Sequence, residues 1–286
     1  MIKMAKLSYL LLLVFGSLLY IEIFLSTFLK SLNFYNQYLF NLFFVLILLL
    51  IFFFYNKFEY KTPFKNNFSL NKKIINIFII IGLVFPIALL GRLIDPKFDI
   101  IYGNLNNFAN LNISSVFLFL LLTLIIVVKE EIIQRSLLQK KISLMLGSFV
   151  SITIVSINFS LYHFFYYSLF GLKTAIVASL SIFMASILLS VLFEKTQSVL
   201  TTILAHFLIN FMILIQIFLI FNKFFTSEII FWILWFLLFC YSILSFKKKF
   251  AHLKLTFYEI GFYEFLFIII FSILPILIPF LLNLLL

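Results

Sequence analysis

Three short clusters in this 286-residue sequence carry ionisable or amide side chains inside apolar surroundings. The first, Glu130-Glu131-Ile132-Ile133-Gln134-Arg135, closes an apolar run that begins near Ile113. The second is Phe159-Ser160-Leu161-Tyr162-His163 and the third His206-Phe207-Leu208-Ile209-Asn210. On a helix, Glu131 and Arg135 stand one turn apart with the acid N-terminal, the favourable order for an ion pair. Arg135 is expected to fork onto Glu131 through two parallel hydrogen bonds, and that pairing reads as structural. Glu130 points about 100° away, and the residue four positions on is the neutral Gln134. Glu130 is therefore the carboxylate left without a local countercharge, which suits a general base. The rival reading of this helix alone is a charged end snorkelling to the headgroups.

The other two clusters read in the same double way. Phe159 and His163 share a helical face, as do His206 and Asn210. Alone, His163 reads as a polar residue bonding a neighbouring helix, and one His-to-Asn spacing in a chain rich in asparagine means little. Together the three clusters mean more. One carboxylate, two imidazoles and an amide supply a base for water, donors for a tetrahedral oxyanion and an acid for a leaving amine. That is the equipment for hydrolysing a peptide bond with water as the nucleophile. The sequence has no G-x-S-x-G, no cysteine near a histidine and no H-E-x-x-H. Glu130, His163 and His206 also form a donor set of the three-ligand catalytic type, so a divalent metal such as zinc is a candidate cofactor.

The elements that must position these residues are membrane helices. The chain is 65% hydrophobic and only 11% charged, against about 25% charged residues in a soluble domain. Continuous apolar runs of about 20 residues recur along it, which predicts helical spans rather than alternating barrel strands. Nine spans are expected, near 7–29, 38–55, 75–93, 113–134, 149–170, 174–193, 199–221, 228–246 and 262–284; a missed or spurious last helix would make eight. With the N-terminus inside, 16 Lys and Arg fall in cytoplasmic segments and 5 outside, which supports a cytoplasmic N-terminus. The net charge of +11 then reads as topology signals and contacts with anionic lipid headgroups, not as a nucleic-acid footprint. The organisation expected is helices 1–3 over residues 1–112, a catalytic core of helices 4–7 over 113–221, and further spans over 222–286. Placing His163 at the depth of Glu130 and His206 requires residues 136–148 to run on as a cytoplasmic or interfacial stretch, with the fifth span starting near Val150.

Several polar residues carry the bland reading. Glu22 reads as a snorkelling or singly bonded residue, His252 as solvated after three lysines, and Cys240 as a small buried hydrophobe.

The ordered set EExxxR, FxxxH and HxxxN, here Glu130 to Arg135, Phe159 to His163 and His206 to Asn210, resembles the CPBP family of CAAX proteases and bacteriocin-processing or self-immunity membrane enzymes. The resemblance covers roughly residues 110–215. It implies an all-α polytopic fold with a buried cavity and an intramembrane glutamate-dependent endopeptidase reached from the cytoplasmic side. By that resemblance Glu130 activates water with His163 assisting, His206 and Asn210 hold the oxyanion, and Glu131, Arg135 and Phe159 support. The implied substrate is a membrane-associated peptide or protein: a leader peptide, a bacteriocin or pheromone precursor, or a prenylated-type C-terminus. The implied location is a bacterial cytoplasmic membrane. The alternative is a non-catalytic immunity or scaffold protein using the same fold.

Overall fold

The structure is a computed structural model that describes residues 70–94, 113–168 and 171–250, together with positions 43, 46 and 47. The spans expected at 7–29 and 262–284, most of that at 38–55, and Glu22 and His252 lie outside the described residues. The described chain runs through α1 (Leu70–Ile94), α2 (Ile113–Glu131), a π-helical segment (Ile132–Gln139), α3 (Lys140–Leu146), α4 (Ser148–Ser168), α5 (Leu172–Thr196), α6 (Val199–Phe221) and α7 (Phe225–Phe250). No strand occurs among the described residues. Leu70–Ile94, Leu172–Thr196, Val199–Ile220 and Phe225–Phe250 are each long and apolar enough to cross a membrane, which makes the chain a multi-pass membrane protein.

Each expected span from 75–93 to 228–246 coincides with a helix to within a few residues, because a long apolar run in lipid has only the helix to satisfy its backbone. The departures fall where local chemistry intervenes. The run expected to end at 134 leaves α geometry after Glu131 and winds as a π-helix to Gln139. Residues 136–148 stay helical, and their apolar side chains Leu137, Leu138, Ile142 and Leu146 are buried. The break comes at Gly147, whose φ of 88° suits only a residue without a Cβ, so α4 starts at Ser148. The turn from α5 to α6 is two residues long. Gln197 caps α5 in the left-handed conformation with its N–H on the Phe193 carbonyl, and the Ser198 side chain accepts from Thr201 N at the start of α6.

Two apolar cores flank the polar residues. One joins α1, α5, α6 and α7 around Ile79, Ile80, Leu192, Ala205 and Trp235. Its close approaches are between α1 and α7, where a Cβ built on Gly82 would lie 2.7 Å from the Leu238 carbonyl oxygen and collide with Ser242. Small residues at a helix crossing let backbones approach in lipid, where no hydrophobic drive exists between helices. Trp235 donates its indole N–H to the Ile81 carbonyl at 3.0 Å. The other core packs the π-helical segment and α3 on α4 through Ile133, Leu138, Ile142, Leu146, Val150 and Val155. The polar clusters sit between these two cores, on α2, α4 and α6.

Candidate active site

The end of α2 carries Lys129, Glu130 and Glu131, and all three are buried in a segment whose surroundings are apolar. A buried charge needs partners, and those of Glu131 come from two directions. Its Oε2 accepts from Arg135 Nε at 3.1 Å, and its Oε1 lies 2.9 Å from His206 Nδ1. A carboxylate only accepts, so the His206 ring carries its proton on Nδ1 towards Glu131.

Arg135 does not fork onto Glu131 as the spacing suggests. Only Nε reaches the carboxylate; Nη1 donates to Ser190 Oγ at 2.6 Å and Nη2 to Ser186 Oγ at 3.0 Å. The reason is positional. Arg135 lies in the π-helical segment facing α5, and its guanidinium edge meets two serines one turn apart before it can turn back onto its own helix. The ring of Phe159 lies beneath the guanidinium, 5.8 Å from centroid to Cζ. The same ring stands edge-on to His163 at 4.6 Å and to His206 at 5.9 Å, so Phe159 walls three polar groups at once.

Glu130 faces the two imidazoles. His163 Nε2 lies 4.0 Å from its Oε1 and His206 Nε2 3.9 Å from its Oε2. His163 Nδ1 is 2.8 Å from the Phe159 carbonyl one turn back. A carbonyl also only accepts, so this nitrogen is the donor and His163 Nε2 keeps its lone pair when the ring is neutral. Asn210 is half-buried one turn beyond His206 on α6, and among the described residues no hydrogen bond ties it to the carboxylates or the imidazoles. Gln134 donates to Asn158 Oδ1 at 3.2 Å, tying the π-helical segment to α4.

The structure thus gathers Glu130, Glu131, Arg135, Phe159, His163 and His206 into one buried cluster and leaves Asn210 at its edge. Ser186 and Ser190 belong to the same cluster and carry no signal in the sequence, because a serine in an apolar helix is unremarkable until its neighbour is known. Their four-residue spacing, equal to that of Glu131 and Arg135, is the one hint.

One carboxylate with two imidazoles is a donor set that suits zinc by type. By spacing it does not close. Ligands about 2.0–2.2 Å from a tetrahedral zinc stand roughly 3.3–3.6 Å apart, less than the 4.0 and 3.9 Å seen here. Among the described residues no three of His, Cys, Asp and Glu are placed to hold a metal ion, and no step below passes through one.

Acids, imidazoles and an arginine are thus gathered in one buried polar centre between the helices of a multi-pass membrane protein. Residues 112–212 match the family model for Type II CAAX prenyl endopeptidase Rce1-like proteins. That stretch, about a third of the chain, holds all three motifs, from Glu130 to Asn210, and its similarity supports the CPBP family of CAAX-type proteases. Members of the family are generally proteases acting on membrane-associated peptides or proteins. No curated protein and no solved structure matches the chain.

Proposed function

We propose that this protein is an intramembrane endopeptidase that hydrolyses a peptide bond of a membrane-associated substrate with water activated by Glu130. The observation that carries the proposal is the approach of two imidazole Nε2 atoms to one carboxylate, at 4.0 and 3.9 Å, while each Nδ1 is committed elsewhere. Those separations are too long for direct hydrogen bonds and short enough for one water to bridge.

The two histidines then take different roles. His163 gives its Nδ1–H to Phe159, so its Nε2 accepts a hydrogen bond from the water and aims it. Glu130 takes the other water proton as the oxygen attacks the substrate carbonyl. His206 gives its Nδ1–H to Glu131, so its Nε2 donates only as imidazolium, with Glu131 as countercharge. In that state it stabilises the developing oxyanion, with the Asn210 amide as a second donor. The C–O bond forms, the C–N bond breaks, and the proton held by Glu130 passes to the leaving amine.

The substrate class that fits is a leader peptide, a bacteriocin or pheromone precursor, or a prenylated-type C-terminus, cut near the cytoplasmic face of a bacterial membrane. The test is reconstitution of the full chain in liposomes with such peptides. Glu130→Gln and His206→Ala are each expected to lower cleavage by at least about 10²-fold. If both variants cleave as fast as the wild type, this mechanism is wrong.

A further inference from the structure

The polar cluster continues beyond the catalytic residues as two facing rows. Glu131, Arg135 and Gln139 recur every four residues through the π-helical segment, and Ser186, Ser190 and Glu194 recur every four residues on α5. The rows meet in register. Arg135 bonds Ser186 and Ser190. One turn on, Gln139 Nε2 donates to the Ser190 carbonyl at 2.9 Å and to Glu194 Oε1 at 3.1 Å. Ser151 of α4 donates to the same Glu194 oxygen at 3.4 Å, and Gln197 to Oε2 at 3.4 Å. Gln139 is fully buried.

A π-helix is rare beyond a single turn and occurs mostly at functional sites. Eight consecutive residues in that geometry need anchors outside their own backbone. Arg135 supplies one, and the Gln139–Glu194 contact supplies the other at the far end. With the far anchor cut, the segment is free to rewind as an α-helix. Rewinding leaves Arg135 beside Glu131, its i−4 neighbour, but swings it off Ser186 and Ser190 of α5. Those contacts lock the Arg135–Glu131 pair in place, and Glu131 is the group that holds His206 Nδ1.

We infer that Gln139 and Glu194 are positioning residues, which hold the π-helical segment in the register that keeps Arg135 on Ser186 and Ser190 of α5 and so fixes the Arg135–Glu131 pair that holds His206. Neither touches the reacting atoms. The inference rests on the protease reading for its activity readout alone.

The test uses the full chain in nanodiscs. Backbone hydrogen exchange over 132–139 and the kcat and KM of peptide cleavage are measured for the wild type, Gln139→Leu, Glu194→Leu, the double variant and Glu194→Gln. Both leucine variants are expected to speed exchange over 132–139 and to lower kcat about tenfold with KM unchanged. The double variant is expected to be no worse than either single one, since all three break the same contact. Glu194→Gln keeps an oxygen for Gln139 and Ser151 and is expected within about twofold of the wild type on both readouts. Wild-type exchange in the leucine variants overturns the inference, as does faster exchange with kcat intact. A Glu194→Gln variant as impaired as Glu194→Leu also overturns it, because the charge and not the contact would then matter. If the wild type cleaves no peptide, the protease reading falls, and the exchange data still decide whether Glu194 and Gln139 hold the segment.

Discussion

At the scale of single residues, the two adjacent glutamates are separated by what surrounds them. Glu131 is saturated: Arg135 on one oxygen, His206 on the other, and no exposure to solvent. Glu130 faces two imidazole nitrogens at bridging distance. The first arrangement fixes a geometry and the second leaves room for a substrate. Arg135 is the residue on which the fixed part depends, since one guanidinium reaches Glu131, Ser186 and Ser190 at once. A lysine has a single ammonium on a flexible stem and cannot span the three. Arg135→Ala, which leaves Glu131 buried with less compensation, is expected to destabilise the protein by about 3–5 kcal/mol. Arg135→Lys should recover only part of that. Thermal unfolding in detergent reads both, and a lysine variant as stable as the wild type would show that the fork geometry is irrelevant. The pairing of Glu131 with Arg135 is legible in the spacing alone, since i and i+4 neighbours meet on any helix. The bond from Glu131 to His206 is not legible, because it joins residues 75 apart in the chain and depends on how α2 meets α6. The sequence points instead to His206 with Asn210, a shared face that contains no hydrogen bond between them here.

At the scale of elements, the helices hold together through small residues and a few polar contacts rather than through a hydrophobic drive. The crossing of α1 and α7 shows this most directly. Gly82 lets the Leu238 carbonyl come to 2.7 Å from where a Cβ would stand, with the Ser242 side chain closer still. Gly82→Ala must push the two helices apart, and overpacking of this kind costs about 1–3 kcal/mol. The loss should appear as a lower unfolding midpoint. Adding Ser242→Gly should restore only part of it, because the Leu238 backbone stays in place; full recovery would mean that the side chain alone set the contact. Helix existence and extent were readable from apolar run length, since lipid leaves the backbone no alternative. The π-helical segment was not, because Ile132 to Gln139 has nothing in its composition that distinguishes it from an α-helix. Its winding follows from partners on α4 and α5, Asn158, Ser186, Ser190 and Glu194. For the same reason Ser186, Ser190 and Gln139 passed as ordinary residues of apolar helices.

At the scale of the whole molecule, two contacts orient the bundle. Arg92 at the end of α1 donates to Glu228 at the start of α7 at 2.6 Å. Lys195 at the end of α5 lies 3.8 Å from the Phe250 ring centroid at the end of α7. These mark opposite ends of α7, and the second end also carries Lys247, Lys248 and Lys249. Glu194, which bonds Gln139, precedes Lys195, so the cluster of acids and histidines connects towards the lysine-bearing end. Positive charge concentrates on the cytoplasmic side of membrane proteins, and on the sequence expectation of 16 basic residues inside against 5 outside we propose that this end faces the cytoplasm. A substrate would then reach Glu130 from the cytoplasmic side. The prediction is checked by labelling with a membrane-impermeant maleimide. Cys240 is the sole cysteine of the chain, so Cys240→Ser gives a clean background. Lys248 and Lys223 are both exposed, at opposite ends of α7. In that background Lys248→Cys should label only after the cells are permeabilised, and Lys223→Cys should label in intact cells. The reverse pattern would put the lysine-rich end outside and send the substrate route to the other face of the membrane. Labelling of both from one side would mean that α7 does not span.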